Sequence, residues 1–153
     1  EKGLDTALEV ARRTGFTIDI FGDGPDRPAM EAMARRKLAP VRFLGPSTAP
    51  WTVMHDYRVF LNPSLSEVLC TSTAEALVAG RHVVLPDCPA NVPFRRYPNA
   101  HFFSDLDGAV AAMRRAMVES PEPPDAVRHD FDWRNACRTL ASLLTESGEF
   151  GAT

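Results

Sequence analysis

Short apolar runs alternate with helical patterns along almost the whole chain, and that alternation leaves few folds open. Leu4, Ala7, Leu8 and Ala11 recur at helical spacing, and Phe16-Thr-Ile-Asp-Ile-Phe21 then reads as a short buried strand closed by the turn Gly22-Asp23-Gly24-Pro25. The pattern repeats. Met30, Met33, Ala34 and Leu38 mark a helix and Val41-Arg-Phe-Leu44 a strand. Residues 49–56 predict a short helix with Trp51 and Met54 on one side, and Tyr57-Arg-Val-Phe-Leu61 is the next strand. His82-Val-Val-Leu85 and Ala100-His-Phe-Phe103 follow as strands, with helices over 106–119 and 133–146. Strands this short, apolar on both faces and each followed by a helix, argue a parallel sheet covered by helices, because every crossover helix must pack back onto the sheet. The expected class is therefore α/β, a Rossmann-like parallel sheet flanked by helices. Such sheets bind ligands beyond the carboxyl ends of their strands, so the loops after Phe21, Leu44, Leu61 and Leu85 are the candidate site. The proline-rich residues 120–125 are expected to form a rigid surface connector between the last two helices.

Composition bounds the partners. A chain of 153 residues suits one domain with a real core, and 44% hydrophobic against 24% charged residues is ordinary for a globular protein. Seventeen basic and 20 acidic residues give a formal charge of −3 and no broad cationic field, so nucleic acid is not an expected partner and any anion must be bound locally. Cys70, Cys88 and Cys137 are odd in number and fit neither a disulfide framework nor a zinc knuckle, which favours a reducing compartment. His55, His82, His101 and His129 are scattered and share no metal spacing, so structural roles are expected and no metal site is assigned. The chain opens at Glu1-Lys2-Gly3 directly on a helical pattern, and is expected to be a piece of a longer polypeptide.

The segment Pro63-Ser-Leu-Ser-Glu67-Val-Leu-Cys70-Thr-Ser-Thr-Ala-Glu75 carries the chemistry. Pro63 ends a strand, residues 64–70 form a loop, and a helix is expected from about Ser72 to a C′ glycine at Gly80. The first N–H groups of a helix lack intrahelical partners and carry about half a positive charge, so an anion such as phosphate is a natural guest there. Thr71, Ser72 and Thr73 would offer hydroxyls and amides to a diphosphate, and Glu75, one turn in, would accept from sugar hydroxyls. A plainer reading stands beside this one. Ser72-x-x-Glu75 spells a capping box, in which both residues satisfy the helix's own backbone and bind nothing.

Glu67 and Glu75 with seven residues between them, followed by Ala76-Leu77-x-x-Gly80 and a Val-Val strand, resemble the E-x7-E signature of glycosyltransferase family four, retaining enzymes of the two-domain GT-B fold. Glu1-Lys2-Gly3, Gly22-Asp23-Gly24-Pro25 and Val41-Arg-Phe-Leu-Gly45 are similar to further ordered motifs of that family. Tyr57-Arg-Val-Phe-Leu-Asn-Pro-Ser64, Cys70-Thr-Ser-Thr-Ala-Glu-Ala-Leu77, Pro89-Ala-Asn91 and Tyr97-Pro-Asn99 narrow the resemblance to the digalactosyldiacylglycerol synthases of plastids. Most family members have Glu-Gly-Phe-Gly where this chain has Glu67-Val-Leu-Cys70.

The resemblance implies a division of labour. Residues 1–153 would be the nucleotide-sugar (donor) binding domain, truncated at its amino end, with the acceptor domain outside the chain. The donor would be UDP-galactose, no tightly bound cofactor is implied, and the acceptor would be the galactolipid monogalactosyldiacylglycerol. Peripheral membrane association and placement at the chloroplast outer envelope come with it. Lys2 matches the family's diphosphate lysine, and a unit charge 4 Å from a phosphate oxygen is worth ~4 kcal/mol at an effective dielectric near 20. Glu67 would hold hydroxyls of the donor sugar and Glu75 the ribose, while Gly22, Gly24, Cys70, Thr71, Ser72 and Thr73 would line the donor cleft. A glycosidase is not implied, because acceptor delivery on the face that UDP leaves needs no acid–nucleophile carboxylate pair. Another donor or acceptor within family four, and a nucleotide-sugar binding module without catalysis, remain open alternatives. Phe94-Arg95-Arg96-Tyr97 mixes aromatic and basic groups as a lipid contact does, but with two charges it reads better as a loop with arginines snorkelling to water.

Overall fold

The computed structural model describes residues 3–65 and 70–147. In chain order the elements are α1 (Leu4–Thr14), β1 (Ile18–Phe21), α2 (Arg27–Lys37), β2 (Val41–Gly45), α3 (Pro50–Val53), β3 (Val59–Leu61), α4 (Thr71–Val78), β4 (His82–Pro86), β5 (Ala100–Phe103), α5 (Leu106–Val118), α6 (Asp125–Asp130) and α7 (Trp133–Ser147). Segments Met54–Asp56 and Pro89–Arg96 are 3-10 helical. Every strand pairing is parallel, as the alternation requires. The ladder, however, is divided into a pair, β1–β2, and a triplet, β3–β4–β5.

Two cores flank the sheets. β4 is buried at all five positions and alternates between them. Val84 joins Val10 of α1 and Ala109, Val110 and Met113 of α5 on one face. Val83 and Leu85 join Ala76 and Leu77 of α4, Phe94, Tyr97 and Val127 of α6 on the other. Fully burying one such Val or Leu side chain stabilises by about 1.5–3 kcal/mol, and this strand contributes to both layers.

Helix boundaries follow local chemistry. α4 ends in a Schellman motif: Gly80 at φ 72 donates to the Leu77 carbonyl and Arg81 to that of Ala76, both at 2.9 Å. Asp105 caps α5 by accepting from the Gly108 amide at 2.7 Å. Where the expected strand would begin at Phe16, the chain instead turns at Gly15, and the Phe16 amide donates to the Thr14 hydroxyl, so pairing starts at Ile18. β3 likewise starts at Val59 rather than Tyr57, because its partner β4 starts at His82 opposite it. The proline-rich connector leads not to the last helix but to α6, six residues too short for periodicity to reveal. That helix is held by Val127 in the core and by the Tyr97 hydroxyl donating to Asp130 at 2.9 Å.

At the amino ends of β4 and β5, His82 and His101 are both buried and linked. Arg115 has only protons to offer, so its Nε donates to Nδ1 of His101 at 3.3 Å and fixes that nitrogen as an acceptor. His101 Nε2 then donates to His82 Nδ1 at 2.9 Å, and His82 Nε2 donates to the Glu119 carbonyl at 3.0 Å. The relay needs both rings neutral. Burial pushes the His101 pKa down, with His82 and Arg115 adding to the effect and Glu119 opposing it. The stabilisation from this relay is therefore whole above the ordinary histidine value near 6.5 and is lost as pH falls through it toward the depressed folded value. Urea titrations from pH 8 to pH 5 should show the loss, at most about 1.4 kcal/mol per pH unit, and His101→Gln should flatten that dependence.

Candidate functional site

Gly3 brings two distant segments together. It precedes α1 at φ 61, and a Cβ placed on it would stand 2.1 Å from the Pro63 carbonyl oxygen, so only glycine lets the start of α1 lie against the loop after β3. That loop is tied internally by Asn62. Its backbone amide pairs with Val84 at 2.9 Å, its side-chain oxygen accepts from the Ser64 amide at 3.1 Å, and its side-chain nitrogen makes a long 3.4 Å donation to the Thr73 hydroxyl. The start of α1, the end of β3 and the first turn of α4 thus form one corner. Asn62 was not among the candidate residues. Its sequence signals are the Asn-Pro turn after an apolar run and its place in the Tyr57–Ser64 stretch that carries the resemblance.

The start of α4 is not a capping box. The helix begins at Thr71, with extended Cys70 in the N-cap position and no side-chain cap hydrogen bond. Ser72 is the second helical residue, two positions past the N-cap, so Ser72 and Glu75 keep the spacing of a capping box without its place at the helix end. Thr71 and Glu75 are exposed and Ser72 is half-buried. Among the described residues none of their side chains has a hydrogen-bond partner, and the amides of Thr71 and Ser72 have no intrahelical acceptor to meet. Thr73 differs: it is fully buried and its hydroxyl is engaged by Asn62, so it fastens the corner from within.

A cavity of about 920 Å3 runs between β1 and β3 and reaches the carboxyl ends of the strands, where Gly22, Pro46, Ser47, Pro63, Cys70 and Ser72 line it. Gly22 adopts φ 122, open to glycine alone, and donates to the Gly45 carbonyl at 2.8 Å. Gly24 is exposed and has no neighbour within 4 Å of where a Cβ would be. Lys2 and Glu67 lie outside the described residues. Along the cavity wall Asp19 is held ionised: the Arg42 guanidinium at 2.5 Å, and secondarily the Tyr57 hydroxyl at 2.6 Å, draw its pKa below the usual carboxylate range. Burial, with help from Asp19, pushes the Tyr57 phenol up to about 12. Among the described residues no group of three or more His, Cys, Asp or Glu is placed to hold a metal ion. Arg95 and Arg96 are paired to Asp87 and Asp130 while Phe94 and Tyr97 are buried, so that loop is an internal brace.

A family model described as glycosyl transferases group 1 matches residues 1–118. The chain belongs to that family. It is 38% identical over 126 residues to digalactosyldiacylglycerol synthase 2, chloroplastic, of Glycine max, covering 82% of this chain and 27% of that protein. It is 37% identical over 123 residues to digalactosyldiacylglycerol synthase 1, chloroplastic, of Arabidopsis thaliana, covering 79% of this chain and 15% of that one. The chain therefore spans about a quarter or less of these relatives. Among solved structures, the lipopolysaccharide outer core galactosyltransferase WaaB in its apo form superposes with a TM-score of 0.77 at 21% identity, covering 93% of this chain and 45% of that one. TarM of S. aureus, in complex with fondaparinux, α-GlcNAc-glycerol and UDP, gives 0.76 at 18% identity over 95% of this chain and 32% of that one. The fold is that of the GT-B glycosyltransferases.

Two substitutions separate the corner from the open helix start. Gly3→Ala should destabilise by about 2–4 kcal/mol, since it adds both a clash with backbone and an unfavourable positive φ. Ser72→Ala should change stability by less than about 0.5 kcal/mol, where loss of an N-cap typically costs ~1. Urea denaturation measures both.

Proposed function

We propose that this chain is the donor-binding part of a retaining galactosyltransferase that moves galactose from UDP-galactose to the headgroup of monogalactosyldiacylglycerol. The observation that carries the reading is the uncapped start of α4 in the crevice at the carboxyl ends of β1 and β3. Free amides and hydroxyls there suit a diphosphate. The relatives' names supply the galactolipid, and TarM's complex with UDP supports a nucleotide donor in this fold.

In this mechanism the diphosphate rests on the amides of Thr71 and Ser72, with Lys2 as its counter-charge. Gly3, which follows Lys2 in the chain, lies against Pro63 at that corner. As the glycosidic bond breaks, negative charge grows on the departing UDP, so these groups stabilise the transition state more than the ground state. Glu75 accepts from the ribose hydroxyls, and Glu67 from hydroxyls of the sugar. The acceptor would be presented by a domain outside this chain, docking peripherally at a membrane; among the described residues no helix is long and apolar enough to cross one. The relatives' names read chloroplastic, which supports a chloroplast location, and the proposal puts the intact protein at the outer envelope there. The 153 residues by themselves are expected to bind UDP weakly and to transfer no sugar.

The test uses the intact protein and radiolabelled donor. Glu75→Ala should raise the donor KM about 10- to 150-fold, the equivalent of the ~1.5–3 kcal/mol carried by hydrogen bonds to a charged group. Glu67→Gln should lower kcat with less effect on KM. A panel of UDP-galactose, UDP-glucose and other nucleotide sugars, each offered with galactolipid, reads the donor directly. An unchanged donor KM in Glu75→Ala would remove the ribose contact, and transfer from another donor in preference to UDP-galactose would replace the proposed substrate.

A further inference from the structure

The histidine relay at the amino ends of β4 and β5 has no room for another proton. His82 and His101 are 2% and 4% exposed, and each ring donates through Nε2 and accepts through Nδ1. A proton added to either Nδ1 sets donor against donor, at His101 facing Arg115 and at His82 facing His101. The surrounding charges oppose it too. Arg115 of α5 lies against one ring, and Arg58, which leads into β3, donates to the same Glu119 carbonyl as His82 does. The Glu119 carboxylate favours charge on His101, but it is half exposed and lies 4.0 Å from Arg115, so it offsets burial only in part.

What the relay holds is the back of α4. Glu119 closes α5, and residues 119–125 run from there to α6. Along this connector Glu122 and Asn99 exchange two hydrogen bonds, at 2.8 and 3.0 Å. Pro124 then lies on Gly80, the C′ residue of α4, where a Cβ would stand 3.5 Å from its ring. Arg128 Nε donates to the Val78 carbonyl at 3.2 Å, and Val127 joins Ala74, Ala76 and Leu77 in the core. The connector and α6 thus brace α4 from behind, and the opposite end of α4 is the open helix start.

We propose that His82 and His101 are a proton-operated latch on α4. One proton taken up by the pair breaks the hydrogen bond between the rings. The charged ring, buried without an acceptor, reaches water only by parting from its neighbours, the Glu119 carbonyl among them. The connector and α6 then loosen, and α4 loses the brace that keeps its start facing the crevice. The latch is closed above the ordinary histidine value near 6.5, and opening becomes easier as pH falls below it, because the open form takes the proton and the closed form does not. The latch follows from these contacts, and only its effect on a nucleotide rests on the proposed donor site.

Hydrogen exchange on the intact polypeptide tests it between pH 7.5 and pH 5, after allowance for the intrinsic rate. Below about pH 6.5 the amides of Glu122, Arg128 and Phe131, with Ala79 and Arg81 at the end of α4, should lose about tenfold in protection per pH unit, while those of Asn62 and Ala109 keep theirs. The variant His82→Gln/His101→Gln repeats the donor and acceptor of each ring without titrating, and should abolish the dependence. Protection that does not change with pH, or that falls at the reference amides as well, overturns the proposal, and so does a variant as pH-dependent as the wild type. If the variant does not fold, the wild-type profile decides. UDP tests the coupling in reverse. At pH 5.5 and 100 times its Kd it should slow exchange at Glu122 and Arg128 about a hundredfold, although it binds at the far end of α4. Binding of UDP without this protection overturns the coupling to the helix start. Failure of UDP to bind at any pH counts against the donor site instead, and the pH profile of exchange then decides the latch.

Discussion

The approach of Gly3 to the Pro63 carbonyl governs the geometry of everything near the candidate site. With a Cβ 2.1 Å from that oxygen, the start of α1 and the loop after β3 could not share one corner, and α1 would lift from the sheet. Because they do share it, the Asn62 turn, the buried Thr73 and the first turn of α4 are held in register, and the helix start faces the crevice with its amides open. A glycine at the third residue thereby links a motif at the amino end of the chain to a carboxylate-bearing segment sixty residues later.

The opposite end of the sheet is built on different physics. There the carbonyls that close α5 are met by Arg58 and His82, and the Arg115–His101–His82 relay orients every ring proton in one direction. That end is sealed with satisfied polar groups, while the carboxyl end leaves amides and hydroxyls of α4 without partners among the described residues. The open end is the one beyond the carboxyl ends of the strands, where open α/β sheets generally bind their ligands.

Much of the architecture was legible in the residues. The apolar runs at Val41, His82 and Ala100 became β2, β4 and β5, and Gly80 closed α4 as its position suggested. Less was legible at the site. Ser72-x-x-Glu75 reads equally as cap or ligand contact, and only the start of the helix at Thr71 decides against the cap. Thr73 is indistinguishable from Thr71 by type, yet one is buried in the corner and the other exposed, because a helix turns successive residues by about 100°. α6 and the 3-10 segment at Pro89–Arg96 were missed because they are short, proline-bordered and held by long-range contacts such as Tyr97 to Asp130.

By itself, then, the order of residues determined the alternation of strands and helices, the parallel sheet and the family, since periodicity and ordered motifs are local properties that survive without coordinates. Tertiary structure decided which hydroxyls stay open, that Gly3 must be a glycine, and that β1 and β3 stand apart across a cavity. These depend on distances between residues far apart in the chain, which are set only when the two cores close around β4.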